Sequence, residues 1–338
     1  MTQQKTAAQR PLLIAASAGV LLVLCTLSLA IGSRAISLDQ VWTALVDPEG
    51  VDPEVTAIVA GTRLIRTLVA VLAGAALGLA GALMQGLTRN PLADPGLLGV
   101  SAGAAFGIVL AAAALGVSGL PSSIWFAFGG AAVASVAVYL LGSRGRGGAT
   151  PVKLALAGVA VTYLLDSLTG GIALTDAEAL DRYRYWSAGS LTGHDGRTLL
   201  MVLPFLAFGT LLALSTAPAL NSLSLGDDVA AALGRKLVLV RLRGALAVTV
   251  LTGATVAVTG PIVFVGLVVP HVVRMITGPD HRRLLPASML LAPCLLLVAD
   301  ILGRVVVRPT ELDVSLMAAF LGAPFFIAMV RRRRLAEL

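Results

Sequence analysis

Charge is what this sequence has least of. Only 13% of its 338 residues are Asp, Glu, Lys or Arg, about half the ~25% usual in a soluble globule. Hydrophobic residues make up 57% and the mean hydropathy is +0.91. A water-soluble domain is excluded, and a polytopic membrane protein remains. Cysteine is scarce too. Cys25 and Cys294 stand far apart in apolar segments, which excludes a disulfide framework and a CxxC metal site. The three histidines, His194, His271 and His281, are scattered, and no HExxH, GxSxG or GxxxxGK[ST] string occurs. Zinc hydrolysis, a serine triad and a nucleotide loop are thus unsupported, and no metal ligand set is expected. The net charge of +7 needs no nucleic-acid partner, because the basic residues sit in short loops between apolar runs.

What is present is a series of apolar windows of about 20 residues, the length that crosses a bilayer. They fall at 12–31, 64–87, 97–117, 124–141, 152–174, 199–217, 242–258, 262–276, 284–302 and 314–330. The first reads as a retained span rather than a signal peptide, since no small-residue cleavage site stands out. The eighth is short and broken by Pro270, so it need not be a simple crossing. The prediction is an all-α membrane fold of about ten transmembrane helices forming one domain, 1–338. With the N-terminus inside, seventeen of the 25 Lys and Arg residues fall on the inner side, including Arg146 and Arg331 to Arg334, and eight on the outer. That bias places both ends in the cytoplasm. Tyr183, Tyr185 and Trp186, in the outer segment 175–197, fit an aromatic headgroup belt.

The chain is organised around residues 89–95, Arg-Asn-Pro-Leu-Ala-Asp-Pro. Pro91 and Pro95 each lack an amide proton and forbid a continuous helix. They also push Asn90 and Asp94 out of the helical region, where both can bond backbone groups locally. Gly74, Gly78 and Gly81, and likewise Gly103 and Gly107, have the small-residue spacing of close helix packing in lipid. In the fifth window Gly158, Thr162, Asp166 and Thr169 share one helical face. An ionised Asp in a bilayer is costly, so Asp166 should face a wet path or a partner. Asp300 and Arg304 have the spacing of an i,i+4 pair. Arg63 and Arg66 run against the topological bias, and an acidic outer partner would explain them. The segment 218–241 is the longest inner one. Asp227 or Asp228 could cap a short helix there that Gly234 ends, which suggests a docking surface.

Five strings carry a resemblance: QGLTRNPLADPGLLGVSAG at 85–103, WSAGSL at 186–191, LNSLSL at 220–225 with Gly226, GPIVFVGLVVPHVVR at 260–274 and LGAPF at 321–325. Together they resemble the FecCD family, the permease subunits of binding-protein-dependent ABC importers for ferric siderophores, haem and vitamin B12. Gln85, Asn90, Pro91, Asp94, Pro95, Gly99, Pro270, His271 and Arg274 are the positions that match. The resemblance implies a pair of ten-helix permeases, identical or related, in the inner membrane. Two cytoplasmic ATPase subunits would bind ATP and Mg, so this chain needs no cofactor and is not itself an enzyme. An extracytoplasmic binding protein would dock on Arg63, Arg66 and Arg304. Leu225, Gly226, Asp227, Asp228, Ala231, Leu233 and Gly234 match the segment that couples to the ATPase. Gly158, Thr162, Asp166 and Thr169 would line the path, and Thr150 and Pro151 stand where the family has its gate. Near the last span Glu311-Leu312-Asp313-Val314-Ser315 departs from the family's Glu-Xaa-Pro-Xaa-Gly.

The function expected on these grounds is ATP-driven, alternating-access import of an iron chelate. Two rivals make different predictions. A secondary transporter using Asp166 would run without any ATPase. An intramembrane enzyme built on Asp166, His271 and Asp300 would turn over alone.

Overall fold

The computed structural model describes residues 5–32, 34–117, 120–144 and 150–331. Among them all regular structure is helical, as a bilayer demands of a chain that must satisfy its backbone internally. Six helices are long and apolar enough to cross a membrane, and four shorter apolar ones accompany them. Each of the ten predicted windows coincides with one of these. The basic residues Arg146, Arg332, Arg333 and Arg334, counted above toward the inner side, lie outside the described residues.

Helix α1 (Lys5–Ala30) leads to a surface helix, α2 (Leu38–Val46), and a short α3 (Pro53–Thr56). A π-helical stretch, Ala57–Arg63, then runs into α4 (Leu64–Thr88). Helix α4 is the core of the molecule, buried along most of its length. Its small residues let neighbours approach closely: a methyl group on Gly81 would land on the Gly266 carbonyl. After the turn come α5 (Val100–Leu115), α6 (Leu120–Ser143), α7 (Pro151–Thr175) and α8 (Ala177–Ser187). Then follow α9 (Gly196–Ser215), α10 (Ala217–Leu223), α11 (Asp227–Ala232) and α12 (Leu237–Thr259). The chain closes with α13 (Val265–Thr277), α14 (His281–Val306) and α15 (Val314–Arg331). Helices α9, α12, α13 and α14 surround α4, α1 packs on α14, and α5 to α8 form the other flank.

One end of the bundle carries residues 89–94, α10, α11 and the turn at 278–280. The other carries 34–63, α8 and 307–313. We call these the inner and outer ends, after the charge bias. Three differences from the sequence reading follow. The third window is divided into a 3-10 turn, Pro95–Leu98, and α5. The eighth is an irregular, non-helical stretch, 260–264, followed by a helix of only 13 residues that runs through Pro270 without a break. Such irregular backbone is tolerated at membrane depth where protein covers it, and Ala93, Pro95, Leu98, Gly260 and Ile262 are buried. Helices α2 and α8, in the outer segments, fall outside the ten apolar windows. A capping box of Ser37 with Gln40 starts the first, and the Asp176 carboxylate accepting from Ala179 N at 2.8 Å starts the second.

Candidate functional site

The turn that organises the sequence also organises the inner end. Helix α4 stops at Arg89, which adopts a left-handed conformation with φ 49°. Asn90 Oδ1 then accepts from Leu92 N at 2.9 Å, and Asp94 Oδ1 from Gly96 N at 2.8 Å, so both side chains replace the helical bonds the prolines forbid. Gly99 closes the turn at φ 69°. Two strings distant in sequence meet here. Gln85 is fully buried and donates from Nε2 to Leu267 O at 3.1 Å, and the Gly266 backbone lies against the Pro95 ring. On α13, the helix that contains Pro270, His271 and Arg274 are buried as well. None of their side-chain nitrogens finds a hydrogen-bond partner among the described residues.

Arg89 also reaches sideways to the carboxylate of Asp227 on α11. Arg241 on α12 donates from Nη2 to the other oxygen of that carboxylate at 2.7 Å. Burial pushes the Asp227 carboxyl up, but the hydrogen bond and charge of Arg241, with the charge of Arg89, outweigh it and hold the group below its ordinary value. The cap expected from Asp227 or Asp228 is absent. Gly226 occupies the N-cap without a side-chain bond, because Asp227 is committed to the two arginines. The end of the helix is as expected: Gly234, at φ 77°, lets Arg235 N bond to Ala230 O at 3.0 Å. Ala230 is buried beneath the helix, while Asp228 and Ala231 face out. Leu225 and Leu233 are 62% and 59% exposed, and Val229 lies between them. Leu225 precedes the N-cap of α11, Val229 lies within the helix and Leu233 is its C-cap, so three apolar side chains on and beside α11 stay uncovered within the chain.

Thr150 caps α7, accepting from Lys153 N at 3.4 Å, and Pro151 opens the helix. The four positions expected to share one face are divided. Gly158 is buried, since a methyl group there would land on the Leu97 carbonyl, and Thr169 is buried with it. Thr162 is half-buried and Asp166 is exposed. Asp166 belongs instead to an open row with Val152, Leu156, Val159 and Tyr163. Only 17% of the apolar window of α7 is buried within the chain.

The outer arginines require a correction. They were expected to reach toward an acidic partner, but Arg63, Arg66 and Arg304 are only 5%, 7% and 1% exposed. Arg66 grips Asp300 Oδ1 through Nε and Nη2 at 2.9 and 2.7 Å, and Glu311 Oε2 through Nη1 at 2.6 Å. Arg304 pairs with the other Asp300 oxygen and donates from Nη1 to Ser28 O at 2.7 Å. Arg63 Nη1 donates to Leu29 O and Ala30 O, each at 2.8 Å. The physical reason lies in α1. Its last carbonyls have no intrahelical donor, and Arg63 and Arg304 supply donors as well as the positive charge that a helix C-terminus favours. The Asp300–Arg304 pair is therefore part of a buried knot rather than an exposed i,i+4 contact. Trp186 is likewise turned inward, donating from Nε1 to Val256 O at 3.2 Å, whereas Tyr185 remains exposed.

A feature the sequence reading did not identify is a cavity of about 810 Å³ at the outer end, bounded by α8 and the end of α12. Asp181, Tyr185, Trp186, His194 and Thr259 line it. Burial of the His194 imidazole lowers its pKa, although a Ser190 hydrogen bond and the Asp195 charge oppose this. The WSAGSL string forms one wall, but the folding-back of 188–195 against Thr259 is not written in any local pattern. Among the described residues no cluster of His, Cys, Asp or Glu could hold a metal ion.

The model of the FecCD transport family matches residues 20–332. The chain is 51% identical over 316 residues to the ferric enterobactin transport system permease protein FepD of Escherichia coli K12, covering 93% of each. It is 39% identical to the hemin transport system permease protein HmuU of Yersinia pestis, over 93% of this chain and 94% of that one. A solved structure described as a metal-chelate type ABC transporter in an inward-facing conformation superposes with a TM-score of 0.84. That structure is 29% identical and covers 95% of this chain and 99% of its own. With these strings, this helix order and this match along nearly its whole length, the chain belongs to the FecCD transport family.

Proposed function

We propose that the chain is the membrane permease subunit of a binding-protein-dependent ABC importer in the inner membrane, both ends cytoplasmic, and that it carries an iron chelate. A ferric siderophore is the first candidate and haem the second, on the names of the relatives. The observation that carries the reading is the inner helix α11, where Leu225, Val229 and Leu233, on the helix and at its two ends, have no cover within the chain. A soluble connector has no need of such exposed apolar side chains, whereas a helix pressed against an ATPase does. Hydrolysis of ATP belongs to that partner. This chain supplies two arrangements of its helices, and nucleotide and binding protein shift the balance between them.

Helix α7 supports a second permease subunit. Its open row mixes apolar residues with Asp166, which suits a surface shared between a partner subunit and a wet path better than one facing lipid alone. Thr150 would then stand at the inner mouth of the path. On the outer side, a binding protein would meet exposed residues such as Arg184 and Arg197 rather than the three buried arginines.

The test replaces Leu225 and Leu233 by Ser. Reconstituted with its ATPase and binding protein, the double variant should keep its fold but lose stimulated ATP hydrolysis and uptake together. Normal coupling would remove α11 from the interface.

A further inference from the structure

At the inner end, where α9 gives way to α10 and the chain enters α12, lies an open groove of about 290 Å³. Ser215 and Thr216 form one wall. Arg235, Lys236, Leu239 and Arg243 form the other. Lys236, Leu239 and Arg243 recur at i, i+3 and i+7, so they present one face of the first two turns of α12. All three basic side chains are exposed. Among the described residues no carboxylate pairs with any of them, and the only side-chain bond among the three runs from Arg235 Nε to Ser222 Oγ at 3.3 Å. No acidic residue lines the groove. Helix α12 begins there without a side-chain cap, which adds the positive end of its dipole to the three cations.

We propose that this groove binds the headgroup of an anionic phospholipid. Three cations with no carboxylate partner complement a phosphodiester, while the Ser215 and Thr216 hydroxyls already donate to Leu212 O and Ala213 O. The surroundings decide in favour of a lipid over a soluble anion. Val238 and Leu242, adjoining the cations on α12, are exposed apolar side chains, as are Phe208 and Leu211 on α9. Acyl chains would lie along these two helices, with the phosphate held where α12 leaves the membrane, at headgroup depth. A basic pocket between membrane helices is a recognised setting for such lipids. Gly234, which ends the stretch beginning with α11, borders the same groove, so a bound lipid would touch the inner helix from the membrane side. The inference rests on the multi-pass placement of the chain and not on the ATPase contact, so the two can fail separately.

The test uses the full chain in mixed micelles with phosphatidylglycerol or phosphatidylcholine, read by native mass spectrometry. Phosphatidylglycerol should be retained selectively at one copy per chain. The variant Arg235→Gln, Lys236→Gln, Arg243→Gln should hold that copy roughly a hundredfold more weakly, as expected for three cations near the headgroup. A control, Arg282→Gln with Arg283→Gln at the same end, should leave it in place. A photoactivatable phosphatidylglycerol added to the unmodified chain should label residues 208–243, which keeps the test sound if the triple variant does not fold. Equal retention of the two lipids, an unchanged lipid complement in the triple variant, or labelling elsewhere would each overturn the proposal. So would a triple variant that keeps its lipid but loses the ATPase, because the groove would then be a protein contact.

Discussion

Arginine and carboxylate meet at both ends of this bundle, with opposite consequences. At the outer end Arg66, Asp300 and Arg304 are buried together, with Arg63 beside them and every partner internal. At the inner end Arg89, Asp227 and Arg241 make a comparable three-membered link, but Asp227 and Arg89 are more than one-third exposed. Burial is the difference that matters. A desolvated charge cannot lose its partner cheaply, so the outer knot holds α1, α4 and α14 in a single register. A solvated pair is worth little, so the inner link can open, and it joins the central turn to the inner helix proposed to meet an ATPase.

Mutations can break this contrast. The largest effect is expected from Asp300→Ala, which leaves Arg304 buried without its ion-pair partner and Arg66 with Glu311 alone. A loss of about 3–5 kcal/mol should appear as a steep fall in apparent unfolding temperature of the purified chain. An unchanged temperature would mean that the knot carries no stability. Next comes Gly158→Leu, which forces a side chain onto the Leu97 carbonyl. A cost of about 1–3 kcal/mol, with α7 displaced, is expected, readable as lost cross-linking between cysteines placed on α7 and near residue 97. Asp227→Ala should change stability by no more than about 1 kcal/mol yet lower the uptake obtained per ATP hydrolysed. Wild-type coupling in that variant would make the inner link ornamental.

The smallest effect is a matter of pH. The Asp227 carboxyl is held below its ordinary value by its two arginines. Its contribution is therefore complete above the unfolded pKa of about 3.9 and is lost as pH falls through the lower folded one. Hydrogen exchange of the α11 backbone should be flat, after correction for intrinsic rates, from pH 7 to 5. Extra opening should appear only below about pH 4. Opening that began near pH 6 would assign the link to another group.

Much of this was legible because it is local. Pro91, Pro95, Asn90 and Asp94 act on their own neighbours, and the structure shows the turn they dictate. Gly234 ends α11 for the same reason. The misreadings concern direction. Arg63, Arg66 and Arg304 lie at the outer ends of apolar helices, and nothing in their spacing says whether they turn outward to a partner or inward to the carbonyls of α1 and the carboxylates of Asp300 and Glu311. Asp166 shares an arc with Gly158 and Thr169, yet lies at its open edge, because α7 packs on Leu97 through the glycine side. The cap expected from Asp227 or Asp228 is not made, and Asp227 is held instead by Arg241, 14 residues on.

The amino-acid sequence alone determined that this chain crosses a membrane about ten times, that its helices break at residues 89–95, and which transport family it resembles. Those properties depend on composition, on windows of some twenty residues and on proline. Only the tertiary structure decided which charges are buried. The Arg66–Asp300 contact spans 234 residues and the Arg89–Asp227 contact 138. In a low-dielectric interior, a charge's role is set by the partner that folding brings to it.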